Sequence, residues 1–298
     1  MWEWEADVLR RFTTPATLAC LLLAAPAADA RVETKQVSQS KSSVTSYWSA
    51  ERMQQATPAE RRFGGAAGKA KKAALPWTSE EITTPYTQAP TSTHGKVFFT
   101  LGGNDYVCSG TALLSGNKSV VWTAGHCVNE GPGAFATNWQ FVPAYKDGSA
   151  PLGVYVAENL FTPTAWKNSG DFSYDLGAAV VGPAGGTALT DRVGGRGIAF
   201  NTSRSQTYQS YGYPAAPPFS GERLWRCTSA LQTSDTSANP ATLGIGCDMT
   251  GGSSGGGWIV GSNVVSVNSY GYNNQPDVMY GPYQGSVAQS LYNAAAAG

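Results

Sequence analysis

Two serines, Ser253 and Ser254, sit among five glycines in Cys247-Asp248-Met249-Thr250-Gly251-Gly252-Ser253-Ser254-Gly255-Gly256-Gly257-Trp258. Glycine at this density permits a sharp turn with consecutive N–H groups on one side. Such a turn can hold a hydroxyl outward and offer N–H donors to an oxyanion. A flexible Gly/Ser linker has the same composition, so the reading depends on partners upstream. The chain has two histidines. His126 ends Val121-Trp122-Thr123-Ala124-Gly125-His126-Cys127, where an apolar strand runs into a small-residue turn that presents an imidazole. His94 lies beside a change in composition and lacks that setting. Asp175, in Asp171-Phe172-Ser173-Tyr174-Asp175-Leu176, stands at the leading end of an apolar run that would bury it. A buried carboxylate needs a partner, and an imidazole N–H suits it. Asp171 is the rival, but nothing after it buries it. A hydroxyl, an imidazole and a carboxylate are the parts needed for acyl transfer through a serine nucleophile.

These residues need a scaffold. The chain has 298 residues, is 42% hydrophobic and only 13% charged, and has no net charge. That composition suits a secreted β-rich protein and gives no sign of nucleic-acid binding. Short apolar runs recur from Thr93 onward, bounded by Gly, Pro, Asn and Ser. They predict strands near 97–101, 111–114, 119–122, 139–142, 153–156 and 176–181. A second set is predicted near 197–200, 207–213, 224–227, 258–260 and 263–267. Such spacing reads as an all-β barrel or sandwich, with a break at Gly182-Pro183-Ala184-Gly185-Gly186 and one helix over Val287 to Ala297. The strand-rich part is set at 91–298, in units of about 91–185 and 186–298.

The first ninety residues differ. Arg10-Arg11, the apolar Leu18 to Ala25 and the small-x-small Ala28-Asp29-Ala30 read as a signal peptide over 1–30. Cys20 falls within it. Residues 31–90 hold nine Lys/Arg against five Glu and are rich in Ser, Gln, Ala and Pro, a composition that cannot build a core alone. This reads as a pro-segment and linker with one short helix over 48–56. Arg61-Arg62 and Lys71-Lys72 are candidate processing sites or ordinary solvated basic pairs.

The order His126, Asp175, Ser254 is that of chymotrypsin-type triads, and the surrounding motifs resemble that family. Thr123-Ala124-Gly125-His126-Cys127 resembles its Thr-Ala-Ala-His-Cys signature. Tyr174-Asp175-Leu176 is similar to its Asp-Ile-Ala-Leu-type motif, and Gly252-Ser253-Ser254-Gly255-Gly256-Gly257 to its Gly-Asp-Ser-Gly-Gly-Pro. Cys108-Ser109-Gly110-Thr111 resembles the segment before the histidine. Ser266-Val267-Asn268-Ser269-Tyr270-Gly271 resembles the strand that backs the substrate. The matches span roughly residues 95–290 and are most similar to secreted bacterial enzymes related to the glutamyl endopeptidases. The resemblance implies two six-stranded antiparallel β-barrels with the site between them. It also implies a secreted serine endopeptidase, made as a zymogen, acting on polypeptides without metal or cofactor. A monomer with no membrane attachment in its mature form is expected.

In that reading His126 is the general base, Asp175 orients it and Ser254 attacks, while the N–H groups of Gly252 and Ser254 form the oxyanion hole. Apart from Cys20, the cysteines Cys108, Cys127, Cys227 and Cys247 allow three pairings. The bridge Cys108–Cys127 matches one in the family, and Cys227–Cys247 is its expected companion. Zinc has little support, because no CxxC pair or nearby second histidine exists. Candidate substrate-binding residues are Asp248, Asn268, Ser269, Tyr270 and Gly271. Asp248 falls where trypsin-like members keep the S1 carboxylate, although a turn-capping aspartate fits equally. Asn268 stands where glutamyl endopeptidases keep a histidine. Ser253 replaces the family's activating Asp, so steric removal of the pro-segment is the expected activation. Two alternatives remain: an inactive homologue serving as a secreted binding module, which should have lost a triad member, and a secreted esterase. An esterase of the α/β-hydrolase type needs a histidine after its serine, and none follows Ser254.

Overall fold

The computed structural model describes residue 1, residues 30–59, the backbone of 62–63, and residues 78–298. The signal peptide expected over 1–30, Arg61, and the Lys71-Lys72 pair lie essentially outside the described residues. The leading part contains β1 (Val32–Gln36), α1 (Lys41–Tyr47), α2 (Ala50–Gln55) and three two-residue strands, β2 (Thr57–Pro58), β3 (Arg62–Phe63) and β4 (Glu80–Glu81).

The first barrel is built from β5 (His94–Leu101), β6 (Asn104–Leu113), β7 (Val120–Thr123), β8 (Thr137–Pro143), β9 (Tyr155–Pro163) and β10 (Gly177–Val181). The hydrogen-bonded order β9-β10-β7-β6-β5-β8 closes through a β8–β9 pairing, giving a six-stranded antiparallel ring. β5 is buried along its whole length, which explains its continuous apolar character rather than an alternating one. The closing pairings cover only part of β6 and β9: β7 meets β6 at Thr111–Leu113 and β8 meets β9 at Tyr155 and Val156, so both strands extend past their ring neighbours on one side. Helices α3 (Thr164–Ser169) and α4 (Leu189–Val193) follow β9 and β10.

The second sheet contains β11 (Gly197–Ile198), β12 (Thr207–Gly212), β13 (Trp225–Asp235), β14 (Thr242–Gly246), β15 (Gly257–Val260), β16 (Asn263–Val267), β17 (Tyr270–Tyr272) and β18 (Gln275–Gly281). Its central order is β16-β15-β12-β13-β14-β18-β17. It curls so that Ser266 Oγ of β16 donates to the Pro282 carbonyl just past β18, at 2.8 Å. Tyr208, Leu243, Ile245, Met249, Trp258 and Val265 fill a separate core here. The C-terminal helix α5 (Ser286–Ala297) buries Leu291 and Ala295 and covers the predicted 287–297 span. Among the described residues, no helix is long and apolar enough to cross a membrane.

Two buried side chains of β5, His94 and Lys96, reach across to the second half. His94 stacks on Tyr211 with ring centroids 4.2 Å apart, and burial together with the Arg196 charge holds its imidazole well below the usual range. It is therefore a neutral packing residue. Lys96, nearly buried, pairs with Glu222 at 3.4 Å, and Glu222 also accepts from the Tyr145 hydroxyl.

The strand pattern departs from expectation at β14 and β18, which the sequence analysis did not place. Gly244 and Gly246 interrupt the apolar signal of β14. Close packing excludes a side chain at Gly244, where a Cβ would stand 2.6 Å from Thr233 Cγ2. β18 begins with Gln275-Pro276-Asp277, residues that disfavour a strand on their own. The leading segment is also more ordered than its composition suggests. It builds no core alone but borrows one: β1 adds to β9, Val44 and Trp48 are buried, and Trp48 Nε1 donates to Asn138 O at 2.6 Å.

Candidate active site

His126 lies in a 3-10 turn, Gly125–Cys127, at the end of β7. The Cys108–Cys127 bridge ties this turn to β6. The second bridge joins Cys227 to Cys247. Each closes a loop with a separation of 19 or 20 residues, for which chain entropy gives about 3 kcal/mol.

Asp175 follows another 3-10 turn, Phe172–Tyr174, and immediately precedes Leu176 and β10. It is fully buried. Its Oδ2 is 2.8 Å from His126 Nδ1 and 2.5 Å from Ser269 Oγ, and its Oδ1 accepts the His126 backbone N–H at 2.8 Å. Burial alone would raise its pKa. The facing His126 imidazole and the hydrogen bonds from His126 and Ser269 outweigh that and hold the carboxyl below the usual carboxylate range. Asp171 instead caps its own turn, accepting from Ser173 N at 2.9 Å. The arrangement fixes the His126 tautomer: Nδ1 carries the proton that Asp175 accepts, leaving Nε2 as the basic nitrogen. Nε2 is buried and has no hydrogen-bond partner among the described residues.

The glycine-rich segment forms a tight turn packed against the histidine turn. Gly255 has φ +81°, and a Cβ there would stand 2.0 Å from Thr123 Oγ1 and 2.8 Å from Ala124 N. Gly252 has φ +93°, with Tyr213 O and Ala215 Cβ each 2.8 Å from where its Cβ would lie. Neither position accepts a side chain. The two serines have different fates. Ser253 Oγ is turned inward and donates to Thr250 O at 2.7 Å. Ser254 Oγ donates across the cleft to Ala59 O at 3.0 Å. Ala59 and His126 line the same cavity of about 520 Å³, together with Phe99, Tyr106 and Glu130.

The expected substrate-binding residues separate into two groups. Tyr270 and Gly271 line a small recess beside Ser254, with Met249, Thr250, Val278 and Met279. Asp248 and Asn268 do not line it. Asp248 Oδ1 accepts the Ser79 backbone N–H at 2.8 Å, a long-range tie to the leading segment and not a cap of its own turn. Asn268 is fully buried. Its Oδ1 accepts from Ser210 Oγ at 2.6 Å and Trp258 Nε1 at 2.7 Å, and its Nδ2 donates to Tyr211 O and Ser253 O, each at 3.0 Å. The amide is fully satisfied and holds the peptide that joins the two serines. Ser269 lines the recess but aims its hydroxyl at Asp175. Neither positioning role has a direct signal in the sequence: Asn268 depends on Ser210, Tyr211 and Trp258 meeting in the second sheet, and Ser269 on Asp175 of the first half.

Among the described residues, the group spaced to hold a metal is Cys108, His126 and Cys127. The two sulfurs are bonded to each other, so that donor set does not fit a metal.

No protein-family model matches the chain. Its fold is similar to the crystal structure of protease Anisep from Arthrobacter nicotinovorans, with 49% identity, 74% of this chain and 100% of that one covered, and a TM-score of 0.69. It is also similar to the thermostable serine protease AL20 from an extremophilic microorganism, at 47% identity, 69% and 97% coverage and a TM-score of 0.66. A Glu endopeptidase structure shares the fold at 22% identity, covering 74% of this chain and 97% of its own, with a TM-score of 0.61. An extracellular metalloprotease of Bacillus subtilis (strain 168) is 28% identical over 134 residues, 44% of this chain and 40% of the relative's length.

Proposed function

We propose, for a chain that belongs to the chymotrypsin-like serine proteases, that it is a secreted endopeptidase acting through His126, Asp175 and Ser254 and made as a pro-form. The observation that carries this reading is the contrast between the serines. Ser253 is committed to its own turn, whereas Ser254 Oγ turns out of that turn to donate to Ala59 O, and Ala59 lines the cavity that His126 also lines. In catalysis His126 Nε2 takes the Ser254 proton as Oγ attacks the carbonyl carbon of a polypeptide, then delivers that proton to the leaving amine. Asp175 keeps Nδ1 protonated and stabilises the imidazolium. The Gly252 and Ser254 N–H groups are assigned to the oxyanion, at roughly 3 kcal/mol per donor. The acyl-enzyme is then hydrolysed by water, with His126 again as base.

Ser254→Ala should lower kcat by several orders of magnitude with folding intact, and Ser253→Ala by far less. A fluorophosphonate probe should label Ser254 and fail to label the His126→Ala variant. Labelling at Ser253, or full activity in Ser254→Ala, would overturn the assignment.

The mature chain is proposed to start between about residue 60 and residue 95. β4 pairs with β13, and Ile82 N donates to Leu224 O at 2.9 Å. These pairings favour a start at or before Thr78. N-terminal sequencing of secreted, active enzyme tests this, and a start near Arg31 would remove the pro-segment from the account.

A further inference from the structure

The leading segment pairs with a strand of each sheet, with a defined polarity. Thr57 and Pro58 of β2 pair in parallel with Tyr106 and Val107 of β6, and Ala59 N–H donates to Val107 O at 3.0 Å. Further along the chain, Arg62 and Phe63 of β3 pair in parallel with Gly271 and Tyr272 of β17. The chain is therefore gripped by one strand of each sheet, with Ala59 over Ser254 between the grips. This is strand addition to two exposed edges.

The contact at Ser254 is the wrong one for acylation. Attack needs Oγ to approach a carbonyl carbon, with its proton passing to His126 Nε2 and the carbonyl oxygen turned to the Gly252 and Ser254 N–H groups. Here Ser254 Oγ donates its proton to the oxygen of Ala59. The nucleophile faces the wrong atom, and its proton points away from the base.

We propose that residues 56–59 and 62–63 are a built-in peptide ligand of the cleft, and that their parallel pairing with β6 and β17 lets them block Ser254 without being cut at Ala59. The proposal rests on Ser254 being the nucleophile. Pro58 suits the role, because it has no N–H and so stays at the edge of the sheet it joins. Docking of β1, α1 and α2 on the first barrel supplies the anchoring that a short peptide alone would lack.

The test uses the full chain, its processed mature form and a fluorophosphonate probe. Labelling of Ser254 in the full chain should be at least about 100-fold slower than in the mature enzyme, because the competent state is populated only when the segment lifts. Ala59→Pro removes the N–H that Val107 accepts and should speed labelling of the full chain at least about tenfold. The mature enzymes from both precursors, which lack residue 59, should share one kcat/KM. Mass spectrometry should find the bond after Ala59 intact while the full chain stays unprocessed. Equal labelling of full chain and mature enzyme, no effect of Ala59→Pro, or prompt cleavage after Ala59 would each overturn the proposal. If Ala59→Pro is not secreted, a Gln54–Gly65 peptide added to mature enzyme decides. It should raise KM without lowering kcat and be recovered uncut, and no inhibition or rapid cleavage refutes the proposal. A mature enzyme that neither hydrolyses peptides nor reacts at Ser254 would instead refute the serine-peptidase mechanism.

Discussion

Asn268→Ala separates a structural role from a specificity role. In the wild-type chain the Asn268 amide accepts from Ser210 Oγ and Trp258 Nε1 and donates to Tyr211 O and Ser253 O. Ser210 and Trp258 are themselves fully buried. Truncation leaves two buried donors without their acceptor, each costing about 1–3 kcal/mol, so the expected loss of stability is about 2–6 kcal/mol. The freed Ser253 carbonyl belongs to the peptide whose N–H, at Ser254, is the proposed oxyanion donor. Small misplacements of that kind cost about 100-fold in rate. Urea unfolding at neutral pH reads the first effect. The second is read from kcat/KM on matched peptides with Glu, Phe, Leu or Arg before the scissile bond, and all four should fall by the same factor. A variant as stable as wild type, to within about 0.5 kcal/mol, with a reordered preference among the four peptides would show that Asn268 contacts substrate and that the buried-network argument is wrong.

Asp248→Ser should leave the ranking of Arg, Glu and Phe substrates unchanged, because Asp248 accepts from Ser79 N and does not line the recess beside Ser254; a selective loss of Arg cleavage would contradict this. Asp175 has a depressed folded pKa. Its stabilising contribution is therefore present above the unfolded value of about 3.9 and is lost as pH falls through the folded one. Asp175→Asn should flatten the acid limb of urea stability measured from neutral pH down to about 2, and an unchanged limb would disconnect the carboxylate from that loss.

The placement of the candidate triad residues was largely legible because their settings are local. The imidazole of His126 is presented by the small turn residues around it, and the burial of Asp175 follows from the apolar strand beginning at Leu176. The distinction between Ser253 and Ser254 could be reasoned from the glycines that follow Ser254. Asn268 was harder to read: a polar residue beside the serine-bearing segment looks like a substrate contact, and only the approach of Ser210, Tyr211 and Trp258 shows that its bonding capacity is filled. The contact that Asp248 makes could not be read for the same reason, its partner Ser79 being far away in sequence. β14 escaped because Gly244 was selected by close packing rather than by strand propensity. The leading segment escaped because its few apolar residues, Val44 and Trp48 among them, find their core in another part of the chain.

The docking of β1 has a consequence for the handling of the protein after the proposed removal of its leading segment. All five residues of β1 pair with β9, from Val32 against Pro163 to Gln36 against Asn159. Removing this strand uncovers a row of backbone donors and acceptors on the far half of β9, outside the stretch that β8 covers. An exposed edge of that kind recruits any extended chain at hand, including the same edge of a second molecule. A concentrated stock of processed enzyme is thus expected to self-associate while its precursor stays dispersed, and light scattering before and after processing would tell the two apart. The shelf behaviour of such a preparation would be governed by a strand that has no part in the chemistry.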